Sequence, residues 1–175
     1  MKTVINSSHQ QHHGVELNDG VVMPCFEEPQ RAEIVLSRVQ TMQLGDVIEG
    51  LSYDISKYTA VHSERYVQFL SEAWDAWRES GFENQALPLV WPRYGLRADV
   101  EPQHIEGKLG FFAMDGGCSI GEGTWYAAQG SADTALTAVD LVLAGDRAAF
   151  ALCRPPGHHA ASDFMGGYCY LNNAA

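Results

Sequence analysis

Over most of this chain the order of apolar and polar residues has a readable period. Lys2-Thr-Val-Ile-Asn-Ser7 opens as a short β-branched strand. Pro29 stands near the start of a helix running to about Met42, with Ala32, Val35, Leu36, Val39 and Met42 at helical spacing and Gly45 as its stop. Val47-Ile-Glu49 reads as a second short strand, and Tyr58–His62 as loop and turn. Between Glu64 and Ser80, Tyr66, Phe69, Leu70, Ala73, Trp74 and Trp77 form one wide apolar stripe, which makes both tryptophans core residues. A further helix begins at Thr124 and stops at Gly145, with Trp125, Ala128, Ala132, Ala135, Leu136, Val139, Val142 and Leu143 on its apolar side. It returns the chain to Ala148-Ala-Phe-Ala-Leu-Cys153, an unbroken apolar run expected to be a strand buried on both faces. Strand–helix–strand alternation predicts an α/β fold, an open parallel sheet with helices on both faces, in one domain over residues 1–175.

Two stretches lack such a period. His9 to Gly20 is polar and reads as a surface loop at the mouth of a pocket. Its His12, His13 and Glu16 could form a metal cluster, although a solvated loop is the simpler reading. Residues 81–123 contain Pro88, Pro92 and Pro102 and the aromatics Phe82, Trp91, Tyr94, Phe111 and Phe112. A long irregular stretch usually serves contact or function, and so many aromatics argue against disorder.

Composition narrows the choice of partner. Apolar residues at 46% and charged residues at 19% are globular values, and the formal net charge is −11. That charge argues against nucleic acid as a direct partner, since phosphate binding relies on Lys and Arg clusters, and it is compatible with attracting a cationic substrate. Cys25, Cys118, Cys153 and Cys169 have no Cys-x-x-Cys spacing, and the N-terminus carries no signal-peptide pattern, so reduced thiols and a cytoplasmic location are expected. No apolar run approaches the ~20 residues of a membrane span.

The chemistry is concentrated directly after the last strand. Arg154-Pro-Pro-Gly-His-His-Ala160 stops the strand and stiffens its exit, and ligands of open α/β sheets bind beyond the strands' carboxyl ends. His158 and His159 are adjacent, so in extended chain their rings diverge and cannot easily share one ion. A pair of proton-transfer groups is the better reading, with ordinary turn residues as the plain alternative.

These residues, with Gly166-Gly-Tyr-Cys-Tyr-Leu-Asn-Asn173, resemble the histone deacetylase superfamily and most of all its bacterial acetylpolyamine amidohydrolases. The likeness extends to Phe26-Glu-Glu-Pro-Gln-Arg-Ala-Glu33, Val61-His62 with Tyr66, His104-Ile-Glu-Gly107 and Gly123-Thr-Trp125. The resemblance implies zinc-dependent hydrolysis of a small acetylated amine, with His159 as general base and then acid and His158 as its electrostatic partner. The Gly167 carbonyl would accept from the substrate amide, and Tyr168 would wall the channel. Glu16 would lie near the incoming cationic tail. Glu106 and Asp115 would be carboxylates facing a distal ammonium, with surface acids as the plain alternative. The 81–123 insertion would build a homodimer interface and the pocket rim.

Family members are longer than this chain. Their zinc ligands, an Asp-x-His pair and a further Asp, follow the Asn-Asn segment, as does the tyrosine that polarises the acetyl carbonyl. The Zn2+ ligands are therefore expected beyond residue 175, none is assigned here, and these residues alone are expected to be inactive. The alternatives are a protein-lysine deacetylase and a non-catalytic fold or assembly unit that pairs through the exposed edge of the Ala148–Cys153 strand.

Overall fold

The computed structural model describes residues 1–92, 97 and 99–175; Tyr94, one of the aromatics of the irregular stretch, lies outside the described residues. The N-terminal strand β1, Lys2–Ile5, is central, and its Thr3 and Val4 are fully buried. A 3-10 turn over Ser7–Gln11 follows. The supposed polar loop then becomes a hairpin, β2 (Val15–Asn18) and β3 (Val21–Pro24), paired antiparallel around Asp19-Gly20. Both turn residues have positive φ, the conformation a two-residue hairpin turn needs. The Asn-Asp-Gly step was the available signal, since Asp-Gly between apolar residues is a strong hairpin cue.

Helix α1 spans Pro29–Thr41 and leads to β4, Val47–Glu49. A short helix α2, Ser56–Thr59, then precedes α3, Glu64–Glu79. The Ser63 hydroxyl caps α3 by accepting from the Tyr66 amide at 3.3 Å. α3 buries Tyr66, Val67, Phe69, Leu70 and Ala73, while Trp74 and Trp77 pack partly buried against the same core. Within the supposedly irregular 81–123 stretch, α4 (Ile105–Phe111) packs on α3, and the Phe69 and Phe112 rings stack 4.6 Å apart.

The last helix, α5, covers Thr124–Leu143, and the last strand, β5, covers Ala149–Ala151. The three-stranded sheet runs β4-β1-β5, with Thr3 opposite Val47 on one side and Phe150 on the other, all parallel. The steps β1→β4 and β4→β5 travel in opposite directions across the sheet. Because parallel crossovers are right-handed, α1 and α5 fall on opposite faces. The predicted architecture is the one observed.

Two expectations need correction. β5 is shorter than the Ala148–Cys153 run and half-buried, because it is an edge strand with β1 alone beside it among the described residues. α5 buries only part of its predicted apolar side: Ala128 and Ala132 are buried and Trp125 and Leu136 pack against the core, while its far end lies outside. Ala127, Ala128, Ser131, Ala132, Thr134 and Ala138 are buried, whereas Val139 is 53% and Leu143 79% exposed. The reason is close approach: a Cβ on Gly130 would collide with the Asn6 side chain of the preceding segment, so small residues form the contact. Counting large apolar residues carried the predicted stripe too far, to Val139, Val142 and Leu143, which are exposed.

Candidate functional site

Beyond β5 the chain enters a loop fixed at both ends. The Ser131 hydroxyl donates to the Pro155 carbonyl at 2.6 Å and accepts from Asn173 Nδ2 at 2.8 Å. Asn172 Nδ2 donates to the Ala160 carbonyl at 2.9 Å. The Asn-Asn pair therefore fastens both flanks of the tandem histidines. His62 closes the far side. Its Nδ1 donates to the Ala161 carbonyl at 2.7 Å, and its Nε2 accepts from the Asn172 amide at 2.8 Å. A carbonyl only accepts and an amide only donates, so these partners fix the neutral tautomer. Burial lowers the His62 pKa in the same sense. The resemblance, which includes Val61-His62, implied a framework histidine here; its bonding partners were not visible in the sequence.

His158 and His159 are exposed, with ring centroids 4.3 Å apart and planes inclined by 51°. His159 lies over Gly167, where an added Cβ would come within 2.7 Å of its ring. Gly167 and Tyr168 have φ of 54° and 67°, and Gly166 and Cys169 exchange backbone hydrogen bonds at 3.1 and 2.9 Å. This is a tight hairpin turn with both central residues left-handed, which Gly167 accepts freely and Tyr168 does not. A tyrosine held in that conformation is typical of a site where geometry matters more than backbone ease.

The turn is held by two predicted carboxylates. The Tyr168 hydroxyl donates to Glu16 Oε2 at 2.5 Å, and that bond, followed by burial, pushes the phenol well above its ordinary pKa. Asp115 Oδ2 accepts from the Gly167 amide at 2.8 Å, while its Oδ1 accepts from the Gly117 amide at 2.9 Å. Glu16, Phe26, Asp115, Gly117, Gly167 and Tyr168 line one open cavity. The structure thus brings together Glu16, Asp115, Gly167 and Tyr168, with His159 against the same turn. Glu106 is not part of this grouping; it is exposed on α4.

The remaining predicted histidines separate. His12 is buried, with Nδ1 3.0 Å from the Thr124 hydroxyl and its ring edge-on to Tyr170. Burial, followed by the Arg154 charge, lowers its pKa to about 3. His13 is exposed. Among the described residues no three His, Cys, Asp or Glu side chains are grouped to hold a metal ion, so the His12–His13–Glu16 cluster does not form. The zinc implied by the resemblance does not fit this residue set.

Arg154 was quoted in the motif but given no role, although it is the largest fully buried side chain among the described residues. A buried arginine needs partners. It has them in Glu27, at 3.0 Å from Nε, and in the His9 and His12 carbonyls.

A parallel α/β sheet with an imidazole pair at its carboxyl edge and an acidic, aromatic cavity beside it defines the class of site. Residues 25–175 match the histone deacetylase domain. The chain is 46% identical over 176 residues to acetylpolyamine amidohydrolase 2 of Pseudomonas aeruginosa, covering 100% of itself and 51% of that protein. It is 44% identical over 177 residues to acetylpolyamine amidohydrolase 1 of the same organism, again covering 100% of itself and 51% of the relative. The crystal structure of acetylpolyamine aminohydrolase from Burkholderia pseudomallei superposes with a TM-score of 0.89 at 33% identity, over 99% of this chain and 50% of that one. The chain belongs to the histone deacetylase family, and it spans about half the length of the curated relatives it matches.

Proposed function

We propose that this chain supplies the proton-transfer and substrate-positioning half of an amidohydrolase that removes acetyl groups from acetylated polyamines. The observation that carries the reading is the His159 ring lying over Gly167, in the turn whose Tyr168 is bonded to Glu16 beside Asp115. In the reaction a water oxygen forms a bond to the acetyl carbon, and His159 accepts the proton that water gives up. The carbon–nitrogen bond then breaks and His159 returns the proton to the departing amine, leaving acetate and a free amine. His158, 4.3 Å away ring to ring, is the electrostatic partner of that proton. Glu16 and Asp115 favour a substrate with a cationic tail over an acetylated protein lysine, and the net charge of −11 acts in the same direction. The family's zinc belongs to residues outside this set. A dimer built on the 81–123 region would give the exposed Glu106 a neighbouring site to serve.

The test is a chimaera of this chain with the second half of the Pseudomonas relative. It is expected to hydrolyse acetylputrescine faster than an acetyl-lysine peptide, with His159→Ala costing about 10²–10⁴-fold in turnover. The 175 residues alone are expected to be inactive. Full turnover in the His159→Ala chimaera would remove the assignment. A second reading, an assembly unit without catalysis, draws on the open edge of β5.

A further inference from the structure

We propose that Arg154 is a positioning residue: its guanidinium locks the N-terminal segment that carries Glu16 to the loop that carries His158 and His159, setting the two sides of the site in register. The proposal rests on the function read above for the roles of His159 and Glu16, although the linkage is read from geometry alone.

Arg154 is 2% exposed and sits at the exit of β5, directly before Pro155-Pro156-Gly157 and the histidines. All three guanidinium nitrogens are engaged. Nε donates to Glu27 Oε1 at 3.0 Å, and Nη1 donates to the His9 carbonyl. Nη2 donates to the His12 carbonyl at 2.8 Å and reaches the Glu27 carbonyl at 3.3 Å. The Arg154 carbonyl also accepts from Asn6 Nδ2 at 3.2 Å. One residue therefore grips the chain at Asn6, His9, His12 and Glu27, before and after the Glu16 hairpin.

The ends of this grip meet again at the cavity. From His12 the chain runs into β2 and Glu16, which receives the Tyr168 hydroxyl. From Arg154 the loop runs to His159, which lies over Gly167, the neighbour of Tyr168. Segments more than a hundred residues apart in sequence thus form a closed ring, with Arg154 at one junction and the Tyr168–Glu16 bond at the other.

A buried ion pair is weak evidence for stability, since apolar residues of similar volume often serve as well. What an apolar pair cannot do is aim several donors at separate carbonyls, and lysine, a point charge without the planar fork, cannot do so either. The guanidinium is suited to fixing register.

The experiment separates register from stability by comparing the wild type with Arg154→Met/Glu27→Met and with Arg154→Lys. Unfolding midpoint, amide hydrogen exchange and the ionisation of Tyr168 are followed in each. The double variant is expected to keep a cooperative transition near the wild-type midpoint. Its amides over 9–16 should exchange at least tenfold faster, with α3 unchanged, and the Tyr168 phenol should titrate back toward its ordinary ~10 as Glu16 withdraws. If the double variant fails to fold, Arg154→Lys gives the same readings with the charge retained. Wild-type exchange over 9–16 and wild-type Tyr168 ionisation in a folded variant overturn the proposal. Failure of the functional reading looks different: no acetyl-amide hydrolysis in the chimaera, with all of these linkage readings intact.

Discussion

The hydroxyl of Tyr168 donates to the carboxylate of Glu16 across 2.5 Å, although 152 positions separate the two in sequence. This contact joins a hairpin near the N-terminus to the turn beneath the His159 ring, and it puts a negative charge on an aromatic wall. Glu16→Gln leaves a hydrogen bond but removes the charge that holds the phenol protonated. The Tyr168 phenol should then titrate at lower pH, read by absorbance of the phenolate. An unchanged titration would mean that burial, the second cause, dominates.

At Gly167 a methyl group would meet both a left-handed backbone and the His159 ring. At φ 54° any other residue pays roughly 1–2 kcal/mol for the left-handed backbone. The added Cβ would also meet the His159 ring at 2.7 Å. Gly167→Ala should therefore lower stability by roughly that amount in urea titration, and the His159 imidazole resonances should shift with it. In the chimaera turnover should fall further than stability accounts for. A variant with wild-type imidazole shifts would show that the ring does not depend on the turn.

Much of this was legible in the sequence, and the exceptions share a cause. The α3 stripe and the parallel alternation followed from period alone, because large apolar side chains announce a buried face. α5 followed only in part, because Ala127, Ser131 and Thr134, chosen for closeness rather than apolar area, share its buried face. The hairpin was missed because its two strands are only four residues long and mostly exposed, which left the Asp19-Gly20 turn as its one cue. Arg154 was hidden because its partners are backbone carbonyls of His9 and His12, which no residue pattern reveals. The grouping of Glu16, Asp115 and Tyr168 was expected from resemblance; its hydrogen-bond geometry was visible only in three dimensions.

Acid should loosen this protein before its carboxylates titrate. Burial lowers the pKa of His62, of His9 and of His12, the last to about 3. Groups kept neutral in the fold bind protons more readily when unfolded. Their contribution is complete above the unfolded value near ~6.5 and is lost as pH falls through it toward the folded value. At pH 5.5 His12 alone should cost on the order of 1 kcal/mol. Glu27, whose pKa is raised by burial, works in the opposite sense, but only nearer the carboxylate range. Urea unfolding at pH 7.5 and 5.5 measures the difference. Equal stabilities would mean that the buried histidines take up protons without unfolding.

The open side of the sheet makes the last prediction. β5 pairs with β1 and, among the described residues, with no other strand, so one row of its backbone donors and acceptors is free for another chain. Nearby, α5 exposes Val139, Val142 and Leu143, apolar residues that the small-residue contact leaves outside. An unpaired edge and an uncovered apolar stripe are both surfaces that association removes from water. Light scattering at micromolar concentration should therefore give a mass above that of the 19.2 kDa monomer. Val139→Lys with Leu143→Lys separates the two contributions: a shift toward monomer assigns association to the helix face, and an unchanged mass assigns it to the strand edge. A monomer in the unsubstituted chain would show that neither surface is sticky enough to act, and the assembly reading would lose its support.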